Sequence, residues 1–423
     1  MAKKKKLEKP KREVTKRQLS QWEQQKKRRR LFLILGISVI AAVAGIMGRG
    51  WYIDHYLPMH ETVIRVNNTE FNMGYYIKML EISGRGQPEY LQFLADQVVI
   101  AIEQNELIRQ GAERLGITAT NSEVDEVLKE FDPALRSKDY RDLIRAELLM
   151  SKLRDVYFDQ LVPKFAEQRH IMAMFLESES QANEVRARLK SGEDFGALAG
   201  ELSLESLSKA ENGDLGWHPW GILSETTGTS IPDDYAFALS VGALSQPLYD
   251  EAKTKSVGYW VVKVLDRDEE DKEVQLWVML LGSEQQAQEV ITKLENGEDF
   301  AALAGELSQD SASKEKGGDL GWVGFDEINP VYQDFVINAE PETLSQPVKD
   351  ESVSTKEGYW LVKVLEKEDN RQIEESDRDV LKAKVLEEWV SSLWDNPENK
   401  VESYLDDEQK AWAIEQAMKH ITI

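Results

Sequence analysis

The chain contains no cysteine, which excludes thiol nucleophiles, disulfides and cysteine-ligated metal sites. Its acidic, imidazole and aromatic side chains stand in two ordered series of matching blocks. KSGEDFGALAGELS at 190–203 matches ENGEDFAALAGELS at 295–308, and the blocks GDLGW, LSQP and GYW follow in the same order in each series. The series lie about 100 residues apart, which indicates a duplicated domain, because short solenoid units repeat every ~20–50 residues. Where the two copies differ at a matched position, their functions can have diverged.

Each copy combines helical and β-rich segments. Asp194–Leu202 and Asp299–Leu307 carry apolar residues at helical spacing, whereas Tyr259–Leu265 and Tyr359–Leu365 are β-rich runs preceded by glycine. The pattern therefore predicts an α+β fold for both copies.

Mainly helical segments flank the duplication. Before it, residues 61–72 predict a short strand with a turn, and the apolar spacing predicts helices over 90–115 and 138–165. Asn121 or Ser122 is the predicted N-cap of a further helix between them. After the duplication, one helix is predicted around 380–393 and another over 401–420. The two flanks form either one module around the inserted copies or two independent helical caps.

The net charge of −24 hides a strong asymmetry. Residues 1–30 carry fourteen Lys and Arg against three Glu, so the rest of the chain carries about −35. Residues 31–48 contain no charged side chain, a length at the short end of what spans the ~30 Å core of a bilayer. Because Lys and Arg remain on the cytoplasmic side, we predict a cytoplasmic arm, a transmembrane anchor and an acidic extracytoplasmic bulk.

Other interpretations of the N-terminus stay open. The apolar run could instead be a buried core helix, and Ala42-Val43-Ala44 resembles a signal-peptidase site, so cleavage is an alternative to a retained anchor. A nucleic-acid partner is not expected, because anionic lipid accounts for a basic arm beside a membrane segment.

Each copy resembles the parvulin-type (rotamase, PpiC-like) peptidyl-prolyl isomerase domain. The blocks that carry the resemblance in copy one are Arg169-His170-Ile171, Asp194-Phe195, Gly213 to Trp217, Phe237-Ala238-Leu239, Leu244 to Pro247 and Gly258-Tyr259-Trp260. Copy two matches at Asp299-Phe300, Gly317 to Trp322, Leu344 to Pro347 and Gly358-Tyr359-Trp360. More loosely, ETVIRVNNTEF and GITATNSEVDEVL resemble the SurA-type N-terminal chaperone domain of SurA-, PrsA- and PpiD-like foldases.

The resemblance implies an α+β protein in which each parvulin-like domain is a small antiparallel sheet wrapped by helices. The predicted organisation is a basic cytoplasmic arm (1–30), a transmembrane anchor (31–49), a SurA-like helical domain (50–166), parvulin-like domains at 167–268 and 273–367, and a C-terminal helical segment (368–423). We name 167–268 repeat one and 273–367 repeat two.

The activity that the resemblance implies is rotation about X–Pro bonds. The barrier is ~18–20 kcal/mol, so the uncatalysed exchange takes tens to hundreds of seconds. A catalyst must hold the proline ring in an apolar pocket and favour the twisted amide over both planar states. Parvulin sites place two His and an Asp or Cys in a hydrogen-bonded cluster under the substrate, with Met and Phe forming the proline pocket.

Carried over by resemblance, the catalytic positions are incomplete in both repeats. The opening His is His170 in repeat one but Gln275 in repeat two, and the Asp/Cys position is Glu205 and Asp310 respectively. We predict His170, Glu205 and Asp310 as catalytic residues, with His170 and Glu205 forming a hydrogen-bonded pair. The alternatives are a structural histidine at a strand start for His170 and a helix cap for Asp310.

The predicted substrate-binding residues are Trp260, Trp360, Ile328 and Tyr332. The two Trp stand where the family has its closing His, and Ile328 and Tyr332 stand at the Met and Phe positions of repeat two. Plain core packing is the alternative for Ile328 and Tyr332. Repeat one has about five extra residues here, and the candidates for its pocket are Ile222, Leu223 and Pro232.

The sequence thus predicts a membrane-anchored extracytoplasmic foldase that isomerises X–Pro bonds and assists the folding of exported proteins. Its expected partners are unfolded or newly exported chains, proline-containing peptides and, through residues 31–49, the cell membrane. No cofactor or metal is expected. The main alternative is a holdase whose parvulin domains only bind extended clients, and a membrane scaffold is a weaker one.

Overall fold

The structure, a computed structural model, describes residues 52–130, 138–268, 270 and 272–421, together with six residues between 43 and 50. The predicted arm at 1–30 and most of the predicted anchor at 31–49 lie outside the described residues. Among the residues that are described, no helix is both long and apolar enough to cross a membrane.

The described chain divides into two units. One unit ends at Leu153 and resumes at Glu388, and the other runs from Arg154 to Glu387. The first unit begins with α1 (Leu57–His60), β1 (Thr62–Val66), β2 (Thr69–Asn72), α2 (Met73–Ser83), α3 (Leu91–Arg114), α4 (Asn121–Glu130) and α5 (Lys138–Lys152).

The flanking elements before the duplication largely follow the sequence pattern. β1 and β2 pair as an antiparallel hairpin, with Asn67 at a φ of 55° in its two-residue turn, a conformation that such loops favour and asparagine tolerates. The predicted strand with a turn and the helix over 90–115 are thus confirmed. The helical run predicted over 138–165 ends at Gln160 instead.

The predicted N-cap of α4 was wrong by one residue. The Thr120 N–H donates to Glu123 Oε2 at 2.7 Å, and the Glu123 N–H donates to Thr120 Oγ1 at 3.4 Å. This reciprocal pairing is a capping box, so Thr120 and not Asn121 or Ser122 satisfies the helix terminus. Hydrogen bonds from Lys152 and Thr120 lower the pKa of Glu123 to about 2.

The second unit contains both repeats. Its elements up to the end of repeat one are β3 (Phe165–Leu176), α6 (Glu179–Lys190), α7 (Phe195–Leu202), α8 (Ser206–Ala210), β4 (Asp214–Pro219), α9 (Ile222–Thr227), α10 (Ile231–Ala238), β5 (Leu248–Lys255) and β6 (Gly258–Asp268). Those of repeat two are β7 (Glu273–Leu281), α11 (Glu284–Glu295), α12 (Phe300–Leu307), α13 (Ser311–Glu315), β8 (Asp319–Gly324), α14 (Pro330–Asn338), β9 (Thr343–Leu344), β10 (Val348–Asp350) and β11 (Thr355–Gln372).

The two sheets of the second unit exchange the strands that close the repeats. One sheet has the order β4-β3-β11-β5 and the other β10-β6-β7-β8, with β9 also paired to β6. In the first sheet, Val362 of β11 lies opposite Ala173 of β3, and in the second, Val262 of β6 lies opposite Val278 of β7. The closing strand of each repeat therefore completes the sheet of the other.

Two domains follow from this pairing. The first domain consists of residues 165–255 with 355–372, and the second domain consists of residues 258–350. The predicted boundaries 167–268 and 273–367 follow the sequence repeats but not the sheets. The physical reason is that GYWVVKVL and GYWLVKVL are nearly the same strand, so either can fill the same place.

The chain then returns to the first unit through α15 (Glu375–Asp395), β12 (Val401–Ser403) and α16 (Asp407–Ile421). β12 adds to β1 as an antiparallel edge strand, and α16 packs on α2 and α3. The predicted helix over 401–420 therefore begins only at Asp407, because its first residues pair with β1. The two flanks form one module, as the first of the two interpretations expected.

Candidate functional site

The candidate site of the first domain centres on His170. This residue lies on β3 opposite Trp217 of β4, with ring centroids 5.6 Å apart. His170 Nε2 lies 2.8 Å from Asp214 Oδ1, and the imidazole is largely buried. The carboxylate therefore fixes the orientation of the ring, while Trp217 supports its face.

The GDLGW block makes the turn that presents Asp214. The same Oδ1 atom accepts the Gly216 N–H at 3.0 Å, and Gly216 has a φ of 81°. Gly213 has a φ of 78°, and a Cβ there would lie 2.9 Å from Ala199. The turn therefore needs glycine at both positions, so the block serves as a tight turn that packs on the neighbouring helix. The structure adds a second role, because the block supplies the partner of His170.

The other ring nitrogen of His170 is buried and, among the described residues, has no hydrogen-bond partner. When Nε2 carries the proton and donates it to Asp214, Nδ1 holds a lone pair and can accept a hydrogen bond. An unsatisfied buried polar atom costs ~1–3 kcal/mol. Because this nitrogen has almost no accessible surface, a donor on a bound peptide relieves that cost only when the groups that cover the imidazole move aside.

Glu205 occupies a different place from the one predicted. Its side chain is buried and caps α8, with Oε1 accepting the Leu207 N–H at 3.1 Å and Oε2 accepting the Ser208 N–H at 2.7 Å. The structure does not bring His170 and Glu205 into hydrogen-bond contact. The expected His170–Glu205 pair was therefore wrong, because the helix terminus engages both carboxylate oxygens and Asp214 takes the imidazole.

Asp310 repeats the capping geometry in the second domain. Its Oδ2 atom accepts the Ser313 N–H at 2.8 Å at the start of α13. The predicted alternative of a helix cap describes this contact, and a catalytic role for Asp310 stays a prediction. Gln275 stands opposite Trp322 as His170 stands opposite Trp217. The second domain thus keeps the framework of the site without its imidazole.

The predicted pocket residues of the second domain come together. Trp260, Ile328 and Tyr332 belong to one hydrophobic cluster, and each is at most 7% exposed. The rings of Trp260 and Tyr332 meet edge to face at 5.6 Å, and burial, with Asp310 and Asp350 nearby, raises the pKa of Tyr332 to about 12. The cluster is closed, so the structure favours core packing over an open proline pocket.

Trp360 lies in the first domain, together with His170, because of the strand exchange. It is fully buried and packs 5.1 Å from Phe175, and its indole N–H donates to Asp250 Oδ2 at 3.0 Å. Trp260 makes the matching bond to Asp350 Oδ2 at 3.0 Å in the second domain. Both indoles therefore reach an aspartate of the other repeat.

Sequence reasoning missed Asp214 as the partner of His170, and Asp250 and Asp350 as the partners of the two Trp. A signal was present for each of them. Asp214 lies in a block that both repeats share, and Asp250 and Asp350 both stand three residues after SQP. Polar positions that duplicated copies retain were the clue.

The neighbouring His218 has an acceptor at each ring nitrogen. Nδ1 lies 2.7 Å from Asp377 Oδ2, and Nε2 lies 2.7 Å from the carbonyl oxygen of Leu215. Both nitrogens can donate at once only in the protonated ring. Although burial opposes the charge, these bonds and above all Asp377 raise the pKa of His218 above its ordinary value.

We expect His218 to make the second unit less stable as the pH rises. A raised folded-state pKa contributes stability that is fully present below about pH 6.5 and is lost as pH climbs through the folded pKa. The free energy of unfolding should fall by up to ~1 kcal/mol, because the His218–Asp377 pair is partly exposed. Urea unfolding of wild type and His218→Gln between pH 5.5 and 9 measures it. A difference between the two proteins that stays flat or grows with pH would contradict the assignment.

Within the described residues, no three His, Asp or Glu side chains are grouped as ligands for a metal ion. The chemistry available at the site is hydrogen bonding and apolar contact. Such a site can bind a peptide and favour one geometry of its backbone, which is all that rotation about an amide requires.

Comparison with known proteins matches both repeats to one family. Residues 170–266 and residues 281–368 each match the PPIC-type PPIase domain. Among curated relatives, Chaperone SurA of Nitrosococcus oceani is 29% identical over 55% of this chain and 55% of its own length. Foldase protein PrsA of Caldanaerobacter subterraneus is 31% identical over 41% of this chain and 58% of its own length. The chain thus spans little more than half the length of these two relatives.

A crystal structure of the peptidylprolyl isomerase PrsA from Bacillus anthracis is similar at 14% identity and a TM-score of 0.29, covering 76% of this chain and 96% of that one. The two domain matches agree with the duplication that the sequence shows. The chain thus contains two segments that match the PPIC-type PPIase domain, and it is similar to the chaperone SurA and to the foldase PrsA.

Proposed function

We propose that this protein is a membrane-anchored extracytoplasmic foldase that isomerises X–Pro bonds in its first domain. The observation that carries the proposal is the His170 arrangement. The imidazole is held by Asp214 at 2.8 Å and by Trp217, and its second nitrogen is buried without a partner among the described residues. The second domain has Gln275 at the matching position and is proposed to bind peptides without accelerating rotation.

The substrates proposed are unfolded or newly exported chains and proline-containing peptides. A bound X–Pro segment would have to displace the groups that cover His170 Nδ1, and a donor on the segment would then satisfy this nitrogen. The effect is catalytic only when this contact is stronger in the twisted amide than in either planar state. The proposal therefore requires acceleration in both directions, cis to trans and trans to cis.

The experiment that tests the activity is a prolyl isomerisation assay on the full chain in detergent, with a short proline peptide whose cis form is detected spectroscopically. We expect a rate that rises linearly with protein concentration. A rate equal to the uncatalysed one at all concentrations would reject the isomerase and favour the holdase.

The anchored topology rests on the charge asymmetry and on the uncharged run at 31–48. Protease added to intact cells should remove the mass beyond Trp51 and leave the N-terminal arm protected. Full protection of that mass, or a mature N-terminus at Gly45, would reject the retained anchor.

A holdase is the second candidate, and two observations favour it. The pocket residues of the second domain are closed into its core. In the first unit, α3 and the residue before it expose an apolar row, with Tyr90, Phe93 and Ile100 each more than half exposed. Such a row can contact extended apolar segments of a client. Suppression of client aggregation that is unchanged in His170→Ala, in a protein without isomerase activity, would select this alternative.

A further inference from the structure

The exchanged strands carry arginines into the other repeat. Arg371, at the end of β11, lies over the ring of Trp217 with its Cζ atom 4.5 Å from the ring centroid. Arg267, at the end of β6, lies 5.8 Å over Phe325 and donates to the carbonyl oxygens of Val336 and Ile337 at 2.5 and 2.9 Å. Each arginine thus stands near the end of a strand that begins in one repeat, and it contacts an aromatic ring of the other repeat.

The ring of Trp217 contacts two other planar groups, the guanidinium of Arg371 and the imidazole of His170. The indole stacks on the imidazole at an interplanar angle of 29°. Guanidinium planes stack on indole faces, so the arginine restricts the rotation of the indole. A restrained indole in turn restricts the imidazole that it supports.

Arg371 is itself held in place. Its main-chain carbonyl oxygen accepts the Gln168 side-chain amide at 3.2 Å, and its guanidinium is 3.4 Å from Glu368. Gln168 is almost fully buried. The end of β11 is therefore fixed beside the start of β3, two residues from His170.

The second domain provides the contrast. Trp322, which corresponds to Trp217, is 47% exposed and stands opposite Gln275. In the part of the chain that the structure describes, no arginine or lysine covers this ring. The covered Trp therefore accompanies the repeat that retains the histidine.

We propose that both repeats build the His170 site, with Arg371 as a positioning residue for the Trp217–His170 pair. The contacts described above support the positioning of Trp217 and His170 by Arg371. The effect of Arg371 on catalysis rests on the proposed isomerase function. Repeat one then lacks part of its site when it is separated from β11. Arg371 acts through Trp217 and contacts no reacting atom.

Ring signals of His170 test the positioning role without any assay of activity. The chain has five histidines, so His170→Gln assigns the signal in a spectrum of the ring nitrogens of the full chain. Arg371→Ala should shift the His170 signals, and Arg371→Lys, which keeps the charge but not the planar stack, should restore them only in part. Arg267→Ala is the matched control and should leave them in place.

An unchanged His170 signal in Arg371→Ala, or an equal shift in Arg267→Ala, would overturn the proposal. In the isomerase assay, Arg371→Ala should lower kcat/KM by roughly two- to fivefold, the value that an exposed cation–π contact implies. If the wild type has no isomerase activity, the proposed function fails while the ring signals still decide the positioning role.

Cysteine cross-linking tests the strand exchange on which the proposal depends. The Val362 N–H donates to Ser245 Oγ and the Ala173 N–H donates to the Gly213 carbonyl oxygen, so Ala173 and Val362 form a non-hydrogen-bonded pair. Such pairs have Cα atoms ~4.5 Å apart, within the range that a disulfide spans. The chain has no native cysteine to interfere.

Ala173→Cys with Val362→Cys should give a cross-linked monomer when the protein folds under oxidising conditions, because both positions are buried in the folded protein. Ala173→Cys with Val262→Cys is the matched control, which would cross-link only if each repeat closed its own sheet. Cross-linking of the control pair in its place, or a cross-linked dimer with the 173/362 pair, would remove Arg371 of the same chain from the site and overturn the proposal.

Discussion

Replacing Trp360 with alanine should lower the free energy of unfolding of the second unit by ~3–5 kcal/mol, the usual cost of truncating a buried aromatic side chain. Trp360 is fully buried, packs on Phe175 at 5.1 Å and donates to Asp250. The variant leaves a cavity and also a buried carboxylate without its indole donor, and both losses contribute to this cost. Urea unfolding of the full chain, followed by tryptophan fluorescence, measures the change.

The strand exchange predicts where the damage appears. In Trp360→Ala, amide hydrogens of β3 should exchange faster than those of β7, because β11 completes the sheet of the first domain. Trp260→Ala is the matched variant and should loosen β7 in preference to β3, because β6 pairs with β7. The opposite assignment of the two effects would mean that each repeat closes its own sheet.

The elements of the repeats could be predicted from local chemistry. The helices at Phe195–Leu202 and Phe300–Leu307 begin after Asp194 and Asp299, whose carboxylates each accept an N–H three residues on, at 2.8 Å. A side-chain cap followed by apolar residues at helical spacing strongly favours a helix over other backbone conformations. The closing strands β6 and β11 are similarly specified by valine-rich runs that follow Gly258 and Gly358.

The pairing of the closing strands could not be predicted, because the two alternatives have almost the same contacts. Ser245 and Ser345 each bond a main-chain N–H of the strand beside them, and Asp250 and Asp350 each accept an indole N–H. These four partners would serve either closing strand equally well. Sequence periodicity reports which face of a strand is buried, but it does not report which equivalent strand fills the place.

One contact does distinguish the two pairings. The guanidinium of Arg267 reaches two carbonyl oxygens at the end of α14, where a cation also opposes the partial negative charge of the helix terminus. The corresponding residue of the other closing strand is Lys367. Its single ammonium group cannot reproduce the two donors that the planar guanidinium directs at neighbouring carbonyl oxygens. The observed exchange is therefore the arrangement in which Arg267 contacts α14, the helix of repeat two that carries Tyr332.

The candidate site was predicted in part. The histidine position follows from the resemblance, but its partner depends on how carboxylates are divided between helix termini and side chains. Glu205 and Asp214 are both near the start of regular elements, and only the three-dimensional turn decides that Glu205 caps α8 while Asp214 accepts the imidazole. The spacing of residues in the sequence does not show whether a carboxylate accepts from a nearby main-chain N–H or from a distant side chain.

The largest expected effect on activity comes from His170→Ala. Removal of a hydrogen-bonding side chain that leaves its partner unsatisfied costs ~1–3 kcal/mol, so the variant should reduce kcat/KM for a proline peptide roughly ten- to a hundredfold. The full chain in the isomerisation assay provides the measurement. Gln275→Ala, at the matched position of the second domain, should retain the wild-type rate, because the second domain is not expected to accelerate rotation.

Asp214→Asn tests how the orientation of the His170 ring affects activity while the ring itself is retained. The amide can still pair with Nε2, but it can also donate, so it no longer fixes the proton on that nitrogen. We expect a loss of activity smaller than that of His170→Ala, and no additional loss in the double variant, because both changes act on one ring. Equal rates for wild type and His170→Ala would exclude His170 from catalysis. Losses that multiply in the double variant would show that Asp214 acts on the substrate by a route other than His170.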